Sequence, residues 1–173
     1  MLILNLHGLN GSCHNTNFKT ISKIYEGDSD VVIVSPQIDY TSDSPYEIIG
    51  HILSNIDKPD IIIGNSFGGF FAYVLGAITN AKTLLVNPCI PPHEYLGKLV
   101  IGYPYLDELK EIWNKCSGLN HDYHVLVGDS DDVLNTHSTL NVLKPQPERI
   151  TIIAGGHSLS GEDYEIWLKE NLK

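Results

Sequence analysis

Residues 60–75 constrain the fold more than any other stretch. Asp60 is followed by Ile61-Ile62-Ile63, then by Gly64-Asn65-Ser66-Phe67-Gly68-Gly69, then by the apolar Phe70-Phe71-Ala72-Tyr73-Val74-Leu75. A β-branched run that stops at glycine reads as a buried parallel strand, and the apolar segment after it as a helix. The Gly-x-Ser-x-Gly between them leaves Ser66 on the sharp turn of a nucleophile elbow, with its hydroxyl lifted above the sheet. Gly64 and Gly68 are needed there because a Cβ at either position would collide with the neighbouring strand or helix.

The rest of the chain keeps the same rhythm, which is the α/β signature. Strands are expected from Leu2 to Leu6, Val31 to Val34, Ile61 to Ile63, Thr83 to Val86, His124 to Val127 and Arg149 to Ala154. Helices are expected from Thr16 to Ile24, Tyr46 to Ile56, Phe67 to Ile78, Val133 to Leu143 and Gly161 to Leu172. One segment departs from the alternation. Residues 89–120 form an apolar and aromatic insertion, with Leu96, Leu99, Val100, Ile101, Tyr103 and Tyr105 ahead of a helix from Leu106 to Cys116. It is read either as an extra core helix or as a small lid and substrate wall, with Leu99 and Tyr103 as the substrate-binding candidates.

A length of 173 residues supports one domain over 1–173 with a substantial core. The formal net charge of −10 and the scattering of only 11 basic residues argue against nucleic acid or an anionic membrane as partners. Cys13, Cys89 and Cys116 are odd in number and lack metal-ligand spacing, which favours a reducing, cytoplasmic compartment. No apolar run reaches the length of a membrane span, and Met1 to Leu6 is too short for a signal-peptide core.

An elbow serine needs a base, an acid to orient that base, and N–H donors for the oxyanion. Of the eight histidines, only His157 both follows the elbow and a plausible acid and lies directly beyond a strand, Thr151-Ile152-Ile153-Ala154. For the acid, the strand ending at Val127 runs into Gly128-Asp129-Ser130-Asp131-Asp132-Val133. Asp131 is selected because the fourth residue of this loop can be aimed at the histidine. Asp129 is then read as capping the turn, and Asp132 as a first-turn acid of the next helix. After the first strand, His7-Gly8-Leu9-Asn10-Gly11-Ser12 lacks the phosphate-binding patterns and is read as an oxyanion loop. In it the N–H of Leu9 pairs with that of Phe67, and His7 holds the loop. His121-Asp122-His124 falls short of a metal site, so neither a metal nor an organic cofactor is called for.

The constellation resembles the α/β-hydrolase superfamily, and within it the small esterases of the YqiA type. The resemblance is carried by His7-Gly8 near the start, the elbow, Leu85-Val86-Asn87-Pro88, Gly128 to Leu134 and Gly155-Gly156-His157, and it spans nearly the whole chain. It implies a minimal α/β-hydrolase fold, a three-layer α/β/α sandwich around a mostly parallel six-stranded sheet of order 2-1-3-4-5-6. Leu9 and Ser66 would then lie at the topological switch point. The function implied is hydrolysis of a small-molecule carboxylic ester or thioester of short to medium acyl chain through an acyl-Ser66 intermediate. The competing readings are a serine peptidase or amidase, and a hydrolase-like binding module without turnover. The residues leave the natural substrate and the oligomeric state open.

Overall fold

The computed structural model describes residues 1–173. In chain order the elements are β1 (Leu2–Leu6), α1 (Thr16–Ile24), β2 (Val32–Val34), α2 (Pro45–Asn55), β3 (Ile61–Asn65), α3 (Phe67–Thr79) and β4 (Lys82–Val86). They continue with α4 (Pro92–Leu99), α5 (Leu106–Cys116), β5 (Tyr123–Gly128), α6 (Thr136–Leu143), β6 (Ile150–Ile153) and α7 (Glu162–Asn171). The six strands form one sheet of order β2-β1-β3-β4-β5-β6. Every neighbouring pair is parallel.

Alternation along the strands sends side chains to opposite faces and so builds two cores. Ile3, Ile61, Ile63, Leu84, Val86 and Leu126 meet Ile21 of α1 and Trp167 and Leu168 of α7 on one face. On the other, Leu4, Leu6, Ile62, Leu85, Val125 and Val127 pack beneath α2, α3 and α5. The second core is the larger, with 29 buried residues against 12. It can be larger because α3 is buried from Phe67 through Gly76 and is itself covered by α5. These layers form the three-layer α/β-hydrolase architecture. No helix is long and apolar enough to cross a membrane.

Most element boundaries shift by a residue or two from the sequence expectation, and three departures have a local reason. The sixth helix begins at Thr136, not Val133, because the Asp131 carboxylate accepts from the N–H groups of Val133 and Leu134 and holds them in a turn. Asn135 then caps the helix by accepting from Ser138 N–H. Asp132 is thus not a first-turn acid. Arg149 closes a 3₁₀ turn over Pro147–Arg149 and lies outside β6. The insertion contains an unforeseen helix, α4, which opens with Pro92 at its first position.

The insertion folds as a helical hairpin, with α5 lodged in the main core. Leu109, Ile112 and Trp113 are buried there. That placement matches the core-helix alternative for α5. Only the tip between the two helices stands out, with Ile101 fully exposed.

Candidate active site

The parallel sheet brings the carboxyl ends of β1, β3, β4, β5 and β6 to one edge, where ligands of open α/β sheets bind. At the end of β3, Ser66 has φ 53° and ψ −123°, a conformation unfavourable for any residue with a side chain. Its surroundings impose it. Ser66 N–H donates to Val86 C=O at 3.0 Å, and Ser66 C=O accepts from Gly69 N–H at 2.9 Å and Cys89 N–H at 2.8 Å. A Cβ on Gly64 would strike the Gly68 carbonyl, and one on Gly68 would strike the carbonyls of Leu6 and His7. The tight approach of strand, turn and helix therefore excludes side chains at both positions.

His157, beyond β6, sets Nε2 3.0 Å from Ser66 Oγ and Nδ1 2.9 Å from Asp131 Oδ2. The Asp131 side chain is 1% exposed and that of His157 21%. Burial pushes the Asp131 carboxyl up. Hydrogen bonds from His157 and from the N–H groups of Leu134 and Val133 outweigh it and hold the carboxyl below the usual carboxylate range. An ionised carboxylate only accepts, so the proton of neutral His157 sits on Nδ1 and the Nε2 lone pair faces the Ser66 hydroxyl. Asp129 and Asp132 do not join this chain. Asp129 Oδ1 instead accepts from Gly155 N–H at 3.1 Å, clipping the β5 and β6 loops together.

Asn87, just past β4, carries a role that the sequence does not announce. It is 2% exposed, at φ 40°. Its amide nitrogen donates to the carbonyls of Gly156 (3.0 Å) and His157 (2.8 Å), while its amide oxygen accepts from Gly128 N–H at 2.8 Å. One side chain thus ties the histidine loop to the strand that carries the acid loop. Its only sequence signal is an asparagine at a strand end, where positive φ is tolerated.

The loop after β1 is anchored from below. His7 is 1% exposed, and its Nε2 accepts from Ile38 N–H at 3.0 Å, so the ring proton is on Nδ1 and is donated to Gly8 C=O at 2.8 Å. Tyr40 O–H donates to His7 C=O at 2.7 Å, and its ring packs on His7, Phe67 and Phe71. These contacts place Leu9 beside the elbow with a backbone N–H that meets no backbone acceptor. Phe67 is the first residue of α3, so its N–H has no intrahelical partner either. A cleft of about 520 Å³ begins at Leu9 and Gly11 and is walled by Gln37, Tyr40 and Thr41.

The two insertion residues lie apart from that cleft. Tyr103 is buried and sets its ring edge-on to Phe67 at 6.2 Å, so it touches the residue after the serine. Leu99 ends α4 with 46% of its surface exposed and joins neither core. No three His, Cys, Asp or Glu side chains converge on a point that could hold a metal ion.

Residues 2–168 match the model of an uncharacterised protein family designated UPF0227. The chain belongs to the UPF0227 family. A UPF0227 protein of Shewanella sp. strain MR-7 is 27% identical over 158 residues, covering 83% of each chain. The UPF0227 protein YcfP of Escherichia coli O139:H28 is 24% identical over 148 residues, 80% of this chain and 79% of that one. Among solved structures, the esterase domain of a Rhodothermus marinus protein superposes with a TM-score of 0.62 at 15% identity, covering 99% of this chain and 84% of that one. FphF, a fluorophosphonate-binding serine hydrolase of Staphylococcus aureus, gives 0.63 at 14% identity, over 98% and 79%. At such identities the likeness is one of fold, and the fold of this UPF0227 chain is that of the α/β-hydrolases.

Proposed function

We propose that this chain is a serine hydrolase that cleaves a carboxylic ester or thioester of short to medium acyl chain, with Ser66, His157 and Asp131 as its catalytic triad. The observation that carries the reading is the continuous relay from Ser66 Oγ through His157 to a buried, fully bonded carboxylate, at 3.0 and 2.9 Å. His157 Nε2 takes the Ser66 proton as Oγ attacks the acyl carbon, and the tetrahedral oxyanion turns toward the N–H groups of Leu9 and Phe67. His157 then protonates the leaving group. It next draws a proton from water as the water attacks the acyl-serine, and returns that proton to Ser66 Oγ as the acid leaves. Asp131 holds the Nδ1–H tautomer and stabilises the imidazolium that forms in each half-reaction.

The esterase domain and the serine hydrolase of like fold accord with this reading. Three free cysteines suit a reducing, cytoplasmic setting. The test is labelling of Ser66 by a fluorophosphonate, together with turnover of esters and thioesters graded by acyl length. Labelling and turnover present in wild type and absent in Ser66→Ala establish the reading. Wild-type protein that neither labels nor turns over is the catalytically silent module.

A further inference from the structure

The residue before the nucleophile is held by a chain of hydrogen bonds whose direction is fixed at both ends. Phe18 N–H, which can only donate, bonds to Asn15 Oδ1 at 3.0 Å. The other end of that amide is therefore Nδ2, which donates to Asn65 Oδ1 at 2.7 Å. Asn65 must then turn its NH₂ group away from Asn15. A second branch agrees. Ser35 O–H donates to Cys13 C=O at 2.6 Å, so Ser35 Oγ accepts from Asn5 Nδ2, whose second proton goes to Asn15 Oδ1. Asn5 is fully buried on β1, and Asn15 caps α1. The network is thus built into the sheet and the helix start.

The freed NH₂ group of Asn65 has no protein acceptor. Asn65 is half-buried, and its Nδ2 is not among the sealed side-chain atoms left without a partner, unlike Asn5 Oδ1 and Tyr103 Oη. Its position is informative. A Cβ built on Gly8 would lie 3.0 Å from Ser66 Cβ and 3.2 Å from Asn65 Nδ2. Glycine at position 8 lets the loop that carries Leu9 pack directly against both the nucleophile and this donor. Two N–H groups of fixed direction therefore stand unspent on the residue next to the nucleophile, against the same Gly8 turn.

We propose that Asn65 is a specificity-determining residue, donating from Nδ2 to an acceptor oxygen carried by the substrate a few atoms from the scissile carbonyl. The class selected is an ester or thioester with an ether, keto or hydroxyl oxygen in the acyl or leaving part, in preference to its pure hydrocarbon counterpart. The inference rests on the serine-hydrolase reading, and the experiment separates the two.

The probes are two pairs of esters: butanoate and methoxyacetate of one chromogenic alcohol, and butanoates of pentanol and of 2-ethoxyethanol. For each pair the ratio of kcat/KM values is compared between variants, so that intrinsic reactivity cancels. Asn65→Asp keeps the oxygen that accepts from Asn15 and loses only the donor, whereas Asn65→Leu removes both without adding charge. Both variants should lower the oxygen-to-hydrocarbon ratio in at least one pair by roughly three- to tenfold, the scale of one hydrogen bond. Thermal melts taken alongside should show Asn65→Asp close to wild type. If wild type labels with fluorophosphonate and turns over but neither ratio moves in either variant, this inference is overturned and the hydrolase reading stands. Wild type that neither labels nor turns over removes both.

Discussion

Asn87→Ala tests how much of the site is held by one buried amide. The substitution removes three hydrogen bonds of 2.8 to 3.0 Å from a side chain 2% exposed. At about 1 kcal/mol each the bonds account for roughly 3 kcal/mol. Alanine at φ 40° adds the left-handed penalty of about 1 kcal/mol, which asparagine largely escapes. The expected loss is about 4 kcal/mol, or roughly 8–16 °C in melting temperature for a domain of this size. Asn87→Gly relieves the backbone but not the bonds, so it should recover about 1 kcal/mol of that loss. Because two of the bonds hold the carbonyls of Gly156 and His157, turnover should fall about 100-fold even at temperatures where the variant is folded, the cost of a misplacement near 1 Å. Urea melts give the stability and ester hydrolysis gives the rate. An alanine variant within 1 kcal/mol of wild type and with turnover within threefold would show that the histidine loop holds itself.

Ser66→Ala and His157→Ala should each lower ester turnover by on the order of 10⁴ to 10⁶-fold while far-ultraviolet circular dichroism is unchanged, since triad members act as a unit. Either variant retaining most of its activity removes the mechanism. Asp131→Asn should be severely impaired and Asp129→Asn mildly so; the opposite ranking assigns the orienting acid to Asp129. Asp131 titrates below the usual carboxylate range, so its contribution to stability is complete above an unfolded aspartate's value of about 3.9 and is lost as pH falls through the lower folded value. In acid titrations followed by fluorescence, Asp131→Asn should show a shallower loss of stability below pH 4 than wild type; a parallel loss sinks the linkage. Gly68→Ala should prevent folding or soluble expression, because its methyl group would lie against the carbonyls of Leu6 and His7. A normally folded, active Gly68→Ala protein means that β1 and α3 can separate.

The parts legible in the sequence were those whose cause is local or periodic. The span Thr16–Ile24 was readable from its apolar spacing, and the elbow from glycines that leave room for backbone. Sheet order followed from the resemblance, not from any residue in isolation. The start of α6 was misread because a side chain, Asp131, competes for the N–H groups that a helix would otherwise organise. Asn87 and the Asn5–Asn15–Asn65 network stayed invisible because their partners are ten to seventy residues away in sequence and meet only once the strands are in register. Leu99 and Tyr103 look alike by hydrophobicity, yet one lies on the surface and the other in the core.

Ser66 and His157 are 91 positions apart, and the histidine arrives on the loop after the sheet's last and outermost strand. Under the proposed mechanism, Ser66, its helix and the loop after β1 are all made before the base during synthesis, and chemistry would begin only when β6 docks. The same arrangement persists in the finished molecule, where β6 has one neighbour and exposes Ile152 to solvent by 57%. If the proposed triad holds, detaching that edge would silence Ser66 while the other five strands stayed folded, so turnover would report on the integrity of this edge of the sheet.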